Sequence, residues 1–144
     1  MAASKEEAIE AAIDGYTNQN AVKVLDQFNA HARIVGSKRE ERWKGKASPN
    51  AQGQTASDAV NKDMATYRVS GRLAAPQATP NEWEYETDDV AVFDRDGVAV
   101  FKSDDTGNTY TVDGRWTAIV ARDGEDWSII ASHFSLHEGQ EIGP

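Results

Sequence analysis

The 144-residue sequence has no cysteine, only four prolines and few basic residues. The missing cysteine excludes disulfide staples, thiolate metal sites and cysteine nucleophiles, and leaves the redox compartment open. No stretch nears the roughly 18 apolar residues of a membrane-spanning helix, and the opening residues, Met1 to Glu7, lack the apolar run of a signal peptide. Lys and Arg number 15 against 24 Asp and Glu, a net charge of −9, which argues against a nucleic-acid partner. Lys38, Arg39, Arg42, Lys44 and Lys46 do cluster, but Glu40 and Glu41 interrupt them, so the run reads as a solvated loop. The expectation is a soluble, cytoplasmic protein that binds neither nucleic acid nor membrane. Its length suits one domain, residues 1–137, followed by a flexible polar tail over 138–144.

Helical spacing fills the first third. Ser4 and Glu7 have the spacing of a capping box, and Ala8, Ile9, Ala12, Ile13 and Tyr16 then recur at three- and four-residue steps. Asn18-Gln19-Asn20 breaks the stripe and caps a second short helix carrying Val22, Leu25 and Phe28. His31 to Ser37 reads as a strand. Ser48-Pro49 has the chemistry of a helix start and introduces a third helix reaching Tyr67. Residues 68–81, with Gly71, Pro76 and Pro80, read as a loop.

The remainder is strand-like. Trp83 and Tyr85 share one face of a strand. Asp94-Arg95-Asp96-Gly97, lying between Val90–Phe93 and Val98–Phe101, has the composition of a hairpin turn. Further turns fall at Asp104–Asn108 and Arg122–Asp126, which bound strands over 109–121 and 127–137. The order α-α-β-α-β-β-β-β predicts an α+β domain, with three N-terminal helices packed on a curved antiparallel sheet.

Two stretches carry a resemblance to a known family. One is Ile34-Val35-Gly36-Ser37 followed by Glu41-Arg42-Trp43-Lys44-Gly45; the other is Arg115-Trp116-Thr117-Ala118 followed, after the Arg-Asp-Gly turn, by Trp127 to Ser135. They resemble the NTF2-like superfamily, in particular its SnoaL-like branch, and the ending is also similar to the association domain of calcium/calmodulin-dependent kinase II. The resemblance implies a cone of helices and sheet with a small organic ligand in its mouth. It also implies a homodimer through the sheet, and it names no cofactor.

Comparison with the kinase association domain implies that Thr117 and Phe134 face the cavity. Strand alternation then adds Asp113, Arg115 and Ser132 and turns His133 outward. An arginine in an apolar cone is too costly to bury unpaired, so Arg115 meets either a ligand carboxylate or hydroxyl, or Asp113 in a rim salt bridge. Tyr16 stands where the family's steroid isomerases carry an oxyanion-stabilising tyrosine, but Ile34-Val35-Gly36 lacks their catalytic aspartate. The limonene-type epoxide hydrolases use Asp, Arg and Asp. Asp113 and Arg115 match two of these, and the final strand offers no second carboxylate.

The ligand-binding candidates are Trp43, Tyr67, Trp83, Tyr85, Thr117, Ser132 and Phe134, and each of the aromatics could equally be core. His133 and His137 stand about 13 Å apart on one strand face, too far to share an ion, so no metal is expected. Asp94-x-Asp96-Gly97 has its glycine at the fourth position and not the sixth of a calcium loop. The leading expectation is a small-molecule-binding protein. An isomerase, hydrolase or dehydratase using Asp113, Arg115 and Tyr16 is the alternative. An association module ranks third, because no attached domain is visible for it to assemble.

Overall fold

The computed structural model describes residues 2–18, 20–36, 38–69, 83–103, 106–136 and 140–143, with the side chains of 17, 63–69, 97–103, 112–113, 136, 140 and 142 outside the description. The loop expected over residues 68–81 therefore falls mostly outside the described residues, although Tyr67–Val69 form a strand.

Helix α1 (Lys5–Thr17) begins as its sequence predicts. The Glu7 N–H donates to Ser4 Oγ at 3.1 Å, while the Glu7 carboxylate accepts from the Ala3 N–H. Ala8, Ile9 and Ala12 form the stripe it buries. Asn20 caps α2 (Ala21–Asp26) by accepting from the Lys23 N–H. The third helix, α3 (Ala56–Thr66), starts later than Ser48-Pro49 suggests. Asn50 takes the chain through a turn by accepting from the N–H groups of Gln52 and Gln54, and Thr55 and Asp58 then cap the helix reciprocally. The Thr55 cap satisfies N–H groups that Pro49 could only omit.

The strands are β1 (Phe28–Val35), β2 (Arg42–Lys44), β3 (Tyr67–Val69), β4 (Trp83–Glu86), β5 (Val90–Ser103), β6 (Thr109–Asp123), β7 (Asp126–Leu136) and β8 (Gln140–Gly143). They form one curved sheet in the order β2-β1-β7-β6-β5-β3, with β4 added to β5 and β8 to β6. The α+β cone is as expected, but the sheet is mixed. Strand β1 runs parallel to β7, because two helices and the first strand precede the antiparallel meander that ends beside it. The C-terminal residues 140–143, expected as a flexible tail, pair with the start of β6, and Asn108 hydrogen-bonds Glu141.

The hairpin expected at Asp94–Gly97 is not there. Strand β5 runs unbroken, pairing with β6 from Val90↔Ala121 to Lys102↔Thr109. The true turns carry glycines at positive φ, Gly107 (+72°) and Gly124 (+65°), whereas Gly97 lies in the ladder opposite Gly114. What holds the polar stretch extended is on the facing strand. Arg115 Nε donates to Asp96 Oδ1 at 2.9 Å, and Thr117 Oγ1 donates to Asp94 Oδ1 at 3.2 Å.

One face of the sheet carries the helices and the main core. Phe93, Ile9, Ile129 and Val120 are its largest fully buried side chains, each stabilising the fold by about 1.5–3 kcal/mol through removal from water. A smaller cluster forms where α3 lies over β1 and β2, around Trp43, Ala56 and Ala59 with Leu25 and Ile34.

Candidate functional site

Register across β5, β6 and β7 arranges the helix-facing side chains in rows. Ala91, Val120 and Ile129 form the first row, and all are fully buried. Phe93, Ala118 and Ser132 form the second, at 2, 0 and 7% exposure. Arg95, Trp116 and Phe134 form the third, and all three keep part of their surface accessible. Beyond them Gly97 pairs with Gly114, so that β5 and β6 add no side chain to the next row. Burial among the described residues thus falls along the sheet, from the fully buried first row to the partly accessible third.

The third row is braced from below and covered from α1. The Trp116 indole N–H donates to Ser132 Oγ at 2.8 Å, and its ring meets Phe93 edge-on with centroids 5.6 Å apart. The Phe134 ring lies 6.0 Å from that of Tyr16, tilted by 58°. The arginine on this apolar face is Arg95, whose Nε is buried. Trp83 packs edge-on against Phe93 at 5.3 Å at the closed end, beneath Lys5, whose ammonium pairs with Glu86 at 2.9 Å. That hydrogen bond raises the Lys5 pKa above its ordinary value.

The opposite, helix-free face holds Asp94, Thr117 and His133 in one row and Asp96, Arg115 and Ser135 in the next. The Arg115 side chain is 70% exposed, and its bond to Asp96 raises its pKa further. The expectation that Arg115 and Thr117 share the cone with Ser132 and Phe134 is therefore corrected. Thr117 pairs directly with His133, so the two lie on one face, and the sheet itself separates Arg115 from Tyr16. Asp113 stands opposite Val98 in the ladder, and its side chain lies outside the description, as does that of Tyr67.

Tyr85 is 60% exposed on β4. Trp43, expected in a charged loop, is in β2 at 5% exposure and donates its indole N–H to the Gln54 carbonyl at 2.7 Å. Tyr16, Ser132 and Phe134 are the expected site residues brought together. Arg95 and Trp116 were missed, because reading Asp94–Gly97 as a turn removes Arg95 from any strand face. Alternation carried on from Ala91 and Phe93 reaches it. Among the described residues, no group of three His, Asp or Glu side chains could hold a metal ion, and no helix is long and apolar enough to cross a membrane.

No protein-family model matches the sequence, and no curated protein matches it either. Solved structures do match. The chain is similar to the hexachlorocyclohexane dehydrochlorinase LinA-type3 of Novosphingobium barchaimii, with 11% identity, TM-score 0.70, and 95% of this chain and 86% of that one covered. A ketosteroid isomerase-like protein of Erwinia carotovora atroseptica gives 12%, 0.65, 92% and 93% in the same terms. A nuclear transport factor 2-like superfamily protein of Salmonella enterica gives 16%, 0.62, 90% and 85%. The helices and the mixed, curved sheet together make an NTF2-like α+β cone, and that fold is what this chain shares with these structures.

Proposed function

We propose that the protein binds a small organic molecule in the mouth of the cone, over Trp116 and Phe134 and beneath Tyr16. The single observation that supports this reading is the burial gradient along the three rows, from fully buried side chains to accessible aromatic ones. Concave apolar surface with a few convergent polar groups is the usual form of a ligand pocket. Binding without turnover is the reading adopted. The catalytic alternative needed Arg115 beside Tyr16, and the two lie on opposite faces of the sheet.

Native mass spectrometry of protein purified from its own host tests the proposal. The expected result is a non-covalent adduct on the wild type, lost in Phe134→Ala while the circular dichroism spectrum is kept. A bare mass for the wild type, or an adduct indifferent to Phe134→Ala and Tyr16→Ala alike, overturns it.

The helix-free face is assigned a partner as part of the same proposal, namely a second copy of the chain. Val92, Ile119 and Ala131 form a half-accessible aliphatic row on that face, and Ile130 is 37% exposed where a bulge interrupts β7.

A further inference from the structure

Register carried from edge to edge places one unbroken row of side chains across the helix-free face: Lys44, Arg33, Ala131, Ile119, Val92 and Tyr85. The next row begins with Arg42 on β2 and ends with Asp94 on β5. Cations hold the β2–β1 edge, aliphatic side chains the middle, and a tyrosine and an aspartate the β4–β5 edge.

The basic edge stands out in a chain of net charge −9. Arg33 and Lys44 face each other directly across β1 and β2, and like charges so placed cost stability. Both are exposed, as is Arg42, and among the described residues no side chain pairs with any of them. Glu41 precedes Arg42, so it alternates onto the other face with Trp43, where its carboxylate accepts from the Lys38 N–H. At the far edge Tyr85 is 60% exposed. Asp96 is held by Arg115, whereas Asp94 accepts from the neutral Thr117 hydroxyl and keeps its charge for a partner.

Two sheets packed face to face in the aligned mode keep their strands within about 30° of one another. A two-fold axis between them then runs either across the strands or along them. An axis across the strands lays each strand over its own copy, so that Arg33 and Lys44 meet Arg33 and Lys44. An axis along the strands exchanges the two sides of the sheet. When it passes between β6 and β7, β1 and β5 each lie about 7 Å from it. Arg33 then comes over the Val92–Asp94 stretch of the second copy, and Lys44, one strand further out, over Tyr85.

We propose that Arg33 and Lys44 recognise the second copy of the chain, Arg33 by pairing with Asp94 there and Lys44 by lying over the Tyr85 ring. These contacts set the two-fold axis along the strands, because the other axis brings like charges together. The inference rests on the sheet-face dimer proposed above and adds the residues that orient it.

The test measures the dimer dissociation constant of the full chain by sedimentation in about 0.3 M sodium chloride, where the long-range repulsion between copies is screened. Arg33→Glu/Lys44→Glu is expected to weaken the dimer at least about tenfold, because both glutamates then face Asp94 and Tyr85 of the second copy. Adding Asp94→Lys to that variant should recover most of the loss, since opposite charges meet again with their signs exchanged. The chain has no cysteine, so single cysteines also report the orientation. When Lys44→Cys and Tyr85→Cys proteins are mixed and treated with a short bis-maleimide, the mixed product should exceed both like-with-like products.

A monomeric wild type overturns the dimer and the inference together. A dimer unchanged in Arg33→Glu/Lys44→Glu overturns the inference and leaves the dimer standing. Failure of Asp94→Lys to restore association in a folded protein overturns it as well, as does cross-linking of Lys44→Cys chiefly to itself. Should the triple variant fail to fold, the cross-linking result decides.

Discussion

Gly15 sits where α1 crosses α2, buried, with no room for even a methyl group. A Cβ there would lie 2.9 Å from both the Val24 side chain and the Val24 backbone nitrogen. Alanine is the better helix former by about 1 kcal/mol, and at an exposed position Gly15→Ala would stabilise the protein. Here the clash includes backbone, which cannot swing aside, and overpacking of this kind costs about 1–3 kcal/mol. Gly15→Ala is therefore expected to lower the Tm by about 3–10 °C, read by differential scanning calorimetry. An unchanged or raised Tm would mean that the helices part at no cost.

The same scale shows why one arginine was legible in the sequence and another was not. The physical requirement is that an arginine on an apolar wall find a partner, since burying it unpaired is too costly. It was attached to Arg115, whose neighbours Trp116 and Ala118 are in fact the helix-facing ones. A one-residue error of phase on a strand exchanges its two faces completely.

At the scale of elements, periodicity and caps located all three helices and three of the four long strands, β1, β6 and β7, but split the fourth, β5, into a hairpin. They failed where local chemistry competes with a long-range partner. Asp-Arg-Asp-Gly is favourable turn composition, and only the facing residues Arg115 and Thr117 make it favourable strand. Those residues lie about twenty positions further along the chain, beyond any local window. Similarly, the parallel pairing of β1 with β7 joins segments a hundred residues apart and leaves no mark in either alone.

Hydrogen exchange separates the two conformations of residues 94–97. In the unbroken strand, alternate amides from Val90 to Lys102 bond to β6 and are expected to exchange at rates like one another. A hairpin tip would instead leave the whole 94–97 stretch exchanging fast between two protected flanks. That pattern would refute the continuous strand and would take Arg95 out of the site.

At the scale of the whole molecule, the fold leaves the helix-free face of β5–β7 to be accounted for. Its half-accessible row of Val92, Ile119 and Ala131 adjoins the rows that carry Asp96 with Arg115 and Asp94 with Thr117. A two-fold axis through this face would bring aliphatic surface onto aliphatic surface from two identical copies, the self-complementary contact that closed dimers use. Each copy brings a net charge of −9, so like-charge repulsion opposes the contact, and salt screens it over about 10 Å at 0.1 M. The apolar contribution is not weakened by salt.

Light scattering on the eluting protein is therefore expected to give twice the 15.7 kDa of one chain, with the dimer fraction higher in 0.3 M than in 0.02 M sodium chloride. Ile119→Arg, which places a charge in the middle of the aliphatic row, should return the monomer with its circular dichroism intact. A monomeric wild type at both salt concentrations refutes the sheet-face dimer, as does a dimer indifferent to Ile119→Arg. A mass well above two chains would instead favour the ring-forming association module, with the sheet face as one of at least two contacts.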